Sequence, residues 1–246
     1  MSFKHRIHSS RLPISALAIG WCVYHTNIAY NPLLNRYQIC WILPHQDVAT
    51  KYTFAKDDPL VVKVNRISDK LYNTNPILKD RQWLYHVFYK LTPYASALTD
   101  SIDPGVVRVS SGGVVTLSDD LLAFQLAHEM GHIIANHGQE KTAYWTLLLA
   151  AELVSTLFNW RYPIFRRLLF VYGVYFPKSR EIELEADLIG KRVLTNAGYS
   201  YEEVPEYFKN IDKSFGASVF DEYRKIFNIF LPTHPSINDR IQNFSD

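Results

Sequence analysis

Two histidines that lie four residues apart constrain this chain more than any other feature of its sequence. His128 and His132 enclose Glu129 in the segment His-Glu-Met-Gly-His. Residues four apart share one face of an α-helix, so both imidazoles can reach a single cation. The glutamate is turned by about 100° and can reach a water molecule bound to that cation. The segment therefore predicts a helix that supplies two metal ligands and a general base.

The residues around this motif have the pattern of a buried and well-capped helix. Ser118 is a suitable N-cap, and Asp119 and Asp120 complement the positive end of the helix dipole. Apolar residues cover a wide arc of the helix, which predicts burial. We expect the helix to run to His137, with Gly138 as the left-handed stop. His137 itself is interpreted as a surface residue or a neighbour of a metal ligand.

Cysteine usage leaves histidine and carboxylate as the ligands for a metal. The 246 residues include two cysteines, Cys22 and Cys40, which form no C-x-x-C pair. A disulfide framework and a cysteine-built zinc site are therefore not expected. Zinc with three protein ligands keeps an open fourth position and lowers the pKa of bound water to about 7. A third ligand must come from elsewhere in the chain.

A later predicted helix, beginning at Ser179, offers two carboxylates for this purpose. Glu183 and Asp187 lie four residues apart, so one can bind the metal while the other orients a histidine ligand. Periodicity alone does not choose between them. Gly190 extends the same face without a side chain and allows close approach to the histidine helix. The other glutamates of this helix, Glu181 and Glu185, are expected to be solvated.

The rest of the chain predicts a mainly α (α+β) fold with one small β element. Apolar positions recur at three and four residues in 60–71 and in 84–91, which is typical of amphipathic helices. Two β-branched runs, 106–109 and 114–117, surround a Ser/Gly turn and predict a β-hairpin before the histidine helix. Formal net charge is only +2, which excludes a general basic surface for nucleic acid.

The first 46 residues differ in charge from the rest of the chain. They hold four basic residues and no Asp or Glu, whereas residues 47–246 hold 22 basic and 24 acidic residues. Acid-poor, arginine-containing N-termini resemble mitochondrial targeting segments. The alternative is a partly ordered arm with an aromatic strand from Tyr37 to Leu43. The chain is thus divided into a targeting segment or arm, 1–46, and one domain, 47–246.

An apolar insertion lies at about residues 144–176 of this domain. Residues 144–160 carry a single charge, Glu152, and nine uncharged apolar residues follow at 168–176. At 1.5 Å per residue the first run reaches about 25 Å, short of the roughly 30 Å of a bilayer core. An ordinary buried helical hairpin and insertion into or binding to a membrane remain the two interpretations.

Three elements in order resemble the peptidase M48 gluzincins. H-E-x-x-H is followed by SREIELEADLIG from Ser179 to Gly190, which is similar to the S-R-x-x-E-x-x-A-D-x-x-G element of that family. Thr-His-Pro then follows, with His234 and, six residues later, Arg240. The elements span about residues 105–246. The resemblance implies a zincin-like helical metalloprotease fold, one zinc ion per chain and polypeptide substrates. It also implies that the edge of the predicted hairpin would hold an extended substrate.

The same resemblance implies roles for individual residues. It implies three metal ligands, His128, His132 and Glu183. Glu129 would act as general base and then as proton donor, and His234 would stabilise the oxyanion or approach the metal. Two further residues, Asp187 and Arg240, would support the ligands and the carboxylate cluster.

The apolar insertion and the acid-free N-terminus are most similar to the Oma1-type branch of this family. Its members are mitochondrial inner-membrane proteases that cleave membrane proteins under stress. This similarity implies membrane-protein or misfolded substrates, a quality-control role and membrane association through 144–176, with another membrane compartment as the alternative location. A homo-oligomer is compatible with it. The alternative function is a zinc-binding but catalytically inactive protein that acts through partner binding.

Overall fold

The computed structural model describes residues 17–41 (without 18 and 23), 54–98, 104–157, 163–215 and 237–244. It divides into two compact units, each with its own set of contacts. The first unit comprises Met1–Pro44 and Gln139–Lys178, and the second comprises His45–Gly138 and Ser179–Asp246.

Helices dominate the described residues, so the mainly α prediction is confirmed. In chain order the elements are β1 (Thr26–Asn31), β2 (Arg36–Trp41), α1 (Pro59–Thr74), a 3-10 turn (Pro76–Leu78), β3 (Trp83–Phe88), β4 (Ala95–Leu98), β5 (Gly105–Ser110), α2 (Ser111–Thr116), α3 (Asp119–Ile134), α4 (His137–Leu157), α5 (Pro163–Phe170), a π-helical segment (Val171–Tyr175), α6 (Phe176–Asn196), α7 (Val204–Phe215) and α8 (Ile237–Gln242). Within the described part of the chain, no helix combines the length and the apolarity needed to cross a membrane.

The first unit contains an antiparallel hairpin. Strand β1 pairs with β2 in the register Thr26 to Trp41 through Asn31 to Arg36. Asn35 in the connecting turn has a φ of 51°, a left-handed conformation that asparagine adopts more readily than most residues. Strand β2 covers most of the aromatic strand considered above, and residues 42 and 43 lie outside the described part.

A three-stranded sheet forms the base of the second unit, in the order β3-β5-β4. The central strand β5 is parallel to β3 and antiparallel to β4. The helix predicted on residues 84–91 is therefore wrong, because residues 83–88 form β3. The segment Trp-Leu-Tyr-His-Val-Phe is rich in residues that favour strands, and its short apolar spacing fits either structure. Pairing with the distant β5 decides in favour of the strand.

The predicted hairpin over residues 106–117 is also wrong, because only its first half is a strand. Ser110 ends β5, and its hydroxyl accepts a hydrogen bond from the Gly113 N–H at 3.1 Å, which caps α2. A Cβ at Gly112 would lie 1.9 Å from the carbonyl oxygen of Leu91. This glycine therefore serves a close approach between two backbone segments and not a hairpin turn.

Helix α3 lies in the core of the second unit and packs against α1, β4 and β5. The predicted N-cap is confirmed, since the Ser118 hydroxyl accepts from the Leu121 N–H at 3.2 Å. The predicted end is wrong: the helix stops at Ile134, and α4 begins at His137. Asn136 between them has a φ of 57° and supplies the left-handed turn that was expected of Gly138.

Candidate metal centre

Two imidazoles and one carboxylate meet at a single buried point between α3 and α6. The Nε2 atoms of His128 and His132 are 3.1 Å apart, and each lies 3.6 Å from one carboxylate oxygen of Glu183. One ligand atom from each residue lies within 4.8 Å of the others. Ligand atoms about 2.0–2.1 Å from a tetrahedral zinc ion are roughly 3.3 Å from one another. The donor set and its spacing therefore fit a zinc ion.

The spacing along α3 explains why both histidines reach this point. They lie one helical turn apart on the buried side of the helix, in its last two turns. Burial lowers the pKa of His132, although the nearby Glu183 carboxylate acts in the opposite direction. A neutral imidazole is the form that binds a metal ion.

Glycines at the crossing of α3 and α6 allow Glu183 to approach the histidines. A Cβ at Gly190 would lie 3.2 Å from both the Cα and the backbone nitrogen of His128. A Cβ at Gly131 would lie 3.2 Å from the carbonyl oxygen of Ala186. The prediction that Gly190 allows a close helix approach is thus confirmed. Both positions leave room for backbone where a side chain would separate the helices.

Asp187 contacts His128 on the side of the ring away from the metal site, and it is not one of the three residues grouped as ligands. Its Oδ1 atom is 2.9 Å from Nδ1 of His128. Arg240 of α8 donates two hydrogen bonds to the same carboxylate, at 2.7 and 2.6 Å. Of the two carboxylates that periodicity left open, the structure places Glu183 with both histidines and Asp187 against one of them.

The charges of this cluster shift the pKa values of its members. Burial raises the pKa of the Asp187 carboxyl, but the hydrogen bonds from Arg240 and His128 outweigh burial and lower it. Burial lowers the pKa of His128, and its contacts with the carboxylates of Asp187 and Glu183 reverse this effect and raise the pKa to about 9. The fully buried Asp187 is therefore ionised and holds the Nδ1 proton of His128 in place.

Glu129 lies beside strand β4 at the edge of the sheet. It also lines a cleft whose walls include His128 and Glu183, two of the candidate metal ligands. Its Oε2 accepts a hydrogen bond from the Ala97 N–H of β4 at 2.6 Å. The cleft has a volume of about 220 Å³. It is lined by apolar and polar side chains that include Tyr94, Phe124, Glu129, Glu183, Tyr207, Phe208 and Arg240.

Of the two alternatives for His137, a surface residue or a neighbour of a ligand, the structure supports the second, and the role of Glu185 was missed by sequence reasoning. His137 is fully buried, and its Nδ1 lies 3.0 Å from Nδ1 of His132. Glu185 is not solvated as expected: its Oε2 lies 3.2 Å from Nε2 of His137. The asparagine before His137 was the one available signal, since asparagine adopts the left-handed conformation that ends a helix more readily than most residues. His234 lies outside the described residues.

Comparisons with known proteins identify the family of this chain. The model of Peptidase family M48 matches residues 62–246, which include all the site residues above. The mitochondrial metalloendopeptidase OMA1 of Saccharomyces cerevisiae is 27% identical over 259 aligned residues, which cover 94% of this chain and 72% of that protein. OMA1 of Schizosaccharomyces pombe is 24% identical over 246 residues, covering 94% and 69%. OMA1 of Arabidopsis thaliana is 32% identical over 125 residues, covering 48% and 22%. The chain therefore belongs to peptidase family M48, and its curated relatives are metalloendopeptidases of the OMA1 branch.

Proposed function

We propose that zinc is the metal of this metalloendopeptidase, that His128, His132 and Glu183 bind it, and that Glu129 is the general base. The convergence of three ligand atoms within 4.8 Å beside Glu129 carries the proposal. When bound, zinc would lower the pKa of a coordinated water to about 7 and polarise the carbonyl of the scissile bond.

Glu129 is the residue that moves protons in this proposal. Its carboxylate takes a proton from the attacking water, whose oxygen bonds to the carbonyl carbon. The same carboxyl then gives the proton to the nitrogen of the breaking C–N bond, so that an amine and a carboxylic acid form, and the acid loses its remaining proton to the amine or to solvent. Asp187 and Arg240 keep His128 oriented throughout. His234 is proposed to stabilise the oxyanion on the basis of its Thr-His-Pro context alone.

Strand β4 is the proposed binding edge for an extended substrate, in place of the incorrectly predicted hairpin. Strand β5 has partners on both sides, whereas β4, among the described strands, has a partner on one side. Strand β4 also lies next to Glu129, because Ala97 donates its N–H to that carboxylate. A peptide that adds to this edge as a further strand would bring a backbone carbonyl to the metal point.

Membrane or misfolded proteins of mitochondria are the proposed substrates, in a quality-control role at the inner membrane. The curated relatives are named mitochondrial metalloendopeptidases. The part of the first unit within 144–176 exposes large apolar side chains, which supports association of this segment with a membrane surface. They include Trp145, Leu149, Leu168 and Leu169. A homo-oligomer remains a prediction.

The catalytic proposal is tested by pairing zinc analysis with a cleavage assay. We expect zinc-loaded wild type to cut a chemically unfolded, fluorescently labelled polypeptide. Glu129→Gln should keep its zinc and lose at least about 100-fold in rate, the usual contribution of a general base. The matched control is Glu181→Gln, which makes the same exchange of carboxylate for amide at an exposed residue of the helix that carries Glu183. Zinc-loaded wild type that cuts neither this polypeptide nor a membrane protein would favour the inactive, partner-binding alternative.

Membrane association is tested separately with lipid vesicles. We expect the full chain to float with vesicles that contain anionic lipid, and the double variant Leu149→Glu and Leu168→Glu to float less. Equal flotation of both proteins would contradict binding through this segment.

A further inference from the structure

We propose that His137 and Glu185 are positioning residues that hold the metal ligand His132 in its binding orientation. The inference rests on the zinc site proposed above. It starts from a line of contacts that leads away from the metal point. His132 Nδ1 lies 3.0 Å from His137 Nδ1, and His137 Nε2 lies 3.2 Å from Glu185 Oε2.

Metal binding at one end of this line of contacts determines which ring nitrogens of the two histidines carry a proton. His132 directs its Nε2 toward His128 and Glu183, so this nitrogen must be free of a proton to bind a cation. The proton of His132 is then on Nδ1, which donates to Nδ1 of His137. His137 consequently carries its own proton on Nε2, which faces the carboxylate of Glu185. Donors and acceptors therefore alternate correctly from the carboxylate to the metal ligand.

Each of the two ligand histidines thus has a carboxylate on the side away from the metal site, one in direct contact and the other through a further imidazole. His128 faces the carboxylate of Asp187 directly, at 2.9 Å. His132 reaches the carboxylate of Glu185 through the ring of His137. A carboxylate behind a ligand histidine fixes its tautomer and ring orientation and increases its basicity. The second carboxylate lies farther away, and the additional imidazole spans the gap.

The fold places His137 in this role and excludes it as a ligand. Asn136 has a φ of 57° and separates α3 from α4, and the residue that follows it, His137, lies against His132. The side chain of His137 has no exposed surface, and a buried imidazole needs hydrogen-bond partners. It contacts the nitrogen of His132 that points away from the metal point.

Zinc affinity is the measurement that tests the role, with cobalt substitution as a second readout. Competition with a chelator should show zinc binding about 10–100-fold weaker in His137→Ala, the usual effect of losing a group behind a ligand. His137→Gln should recover part of the affinity, because its amide oxygen can accept from His132 while its NH₂ group donates to Glu185. The visible spectrum of the cobalt-loaded protein should shift in the alanine variant.

Glu185→Ala and Glu181→Ala form a matched pair on the same helix. The first should weaken zinc binding about tenfold, and the second should leave it unchanged, since Glu181 is exposed. This pair also keeps the test valid if His137→Ala does not fold, because the side chain of Glu185 is 16% exposed and tolerates truncation better.

The possible results separate this inference from the zinc site itself. Wild-type zinc affinity in folded His137→Ala or in Glu185→Ala overturns the positioning role alone. Equal weakening in the alanine and glutamine variants of His137 also overturns it, because a role in packing alone would give that result. A wild-type protein that binds no zinc overturns the proposed site and this inference together.

Discussion

A methyl group at Gly190 is expected to force apart the two helices that carry the metal ligands. A Cβ there would lie 3.2 Å from the Cα and the backbone nitrogen of His128 and 3.5 Å from the carbonyl carbon of Ala127. These three atoms belong to the backbone of α3 and cannot rotate away. Relief of the contact therefore requires movement of α6 relative to α3.

The magnitude follows from two opposing effects. Carbon atoms pack at about 3.5–4.0 Å, so the helices must separate by roughly 0.3–0.8 Å. Overpacking of this kind costs about 1–3 kcal/mol, while alanine in place of glycine inside a helix gains about 1 kcal/mol. We expect Gly190→Ala to lower the free energy of unfolding by about 0–2 kcal/mol. Zinc binding should weaken by about tenfold or more, because metal sites tolerate distance errors of only about 0.2 Å.

Urea denaturation and chelator competition measure these two effects. Gly173→Ala is the matched control, since a Cβ at Gly173 in the π-helical segment meets no atom within 4 Å. This control should be at least as stable as wild type and should bind zinc equally well. Wild-type stability together with wild-type zinc affinity in Gly190→Ala would refute the close packing of the two ligand helices.

Three further changes probe other contacts of the second unit. Arg240→Ala removes both hydrogen bonds to the fully buried Asp187 and should cost about 3–5 kcal/mol in urea denaturation; a loss below 1 kcal/mol would contradict this. Burial and then Arg108 lower the pKa of His86 below its ordinary value of 6.5. The contribution of His86 to the free energy of unfolding is therefore fully present above about pH 6.5 and is lost as the pH falls. His86→Gln should flatten the dependence of the melting temperature on pH in this range. An unchanged slope would contradict the prediction. Leu126→Ala empties a fully buried site and should cost about 2–5 kcal/mol, and a melting temperature equal to that of wild type would show that the core closes over the gap.

Features that depend on spacing within one helix were predictable from the sequence. The interval between His128 and His132 defines a shared face without reference to any other part of the chain. The Ser118 hydroxyl caps the first turn of its own helix, as expected. The missing side chain of Gly190 allows the expected close contact with the backbone of His128. The family resemblance added Glu183 in preference to Asp187, a choice that periodicity left open.

Features that depend on distant pairing were not predictable. Residues 83–88 become a strand because β5, more than 20 residues later, supplies their hydrogen bonds. The Ser/Gly segment after β5 becomes helix because Ser110 caps it and Gly112 packs against the backbone of Leu91. The contact between His137 and His132 follows a break between two helices at one left-handed asparagine, and apolar periodicity does not predict that break.

The metal content of purified Glu183→Gln, measured by mass spectrometry beside Glu181→Gln, tests the central claim most directly. Both variants remove one carboxylate charge from the same helix, and only Glu183 lies with the two histidines. We predict one zinc ion per chain in wild type and in Glu181→Gln, and loss of zinc in Glu183→Gln. Stoichiometric zinc in Glu183→Gln, or no zinc in wild type, would contradict the proposed metal centre.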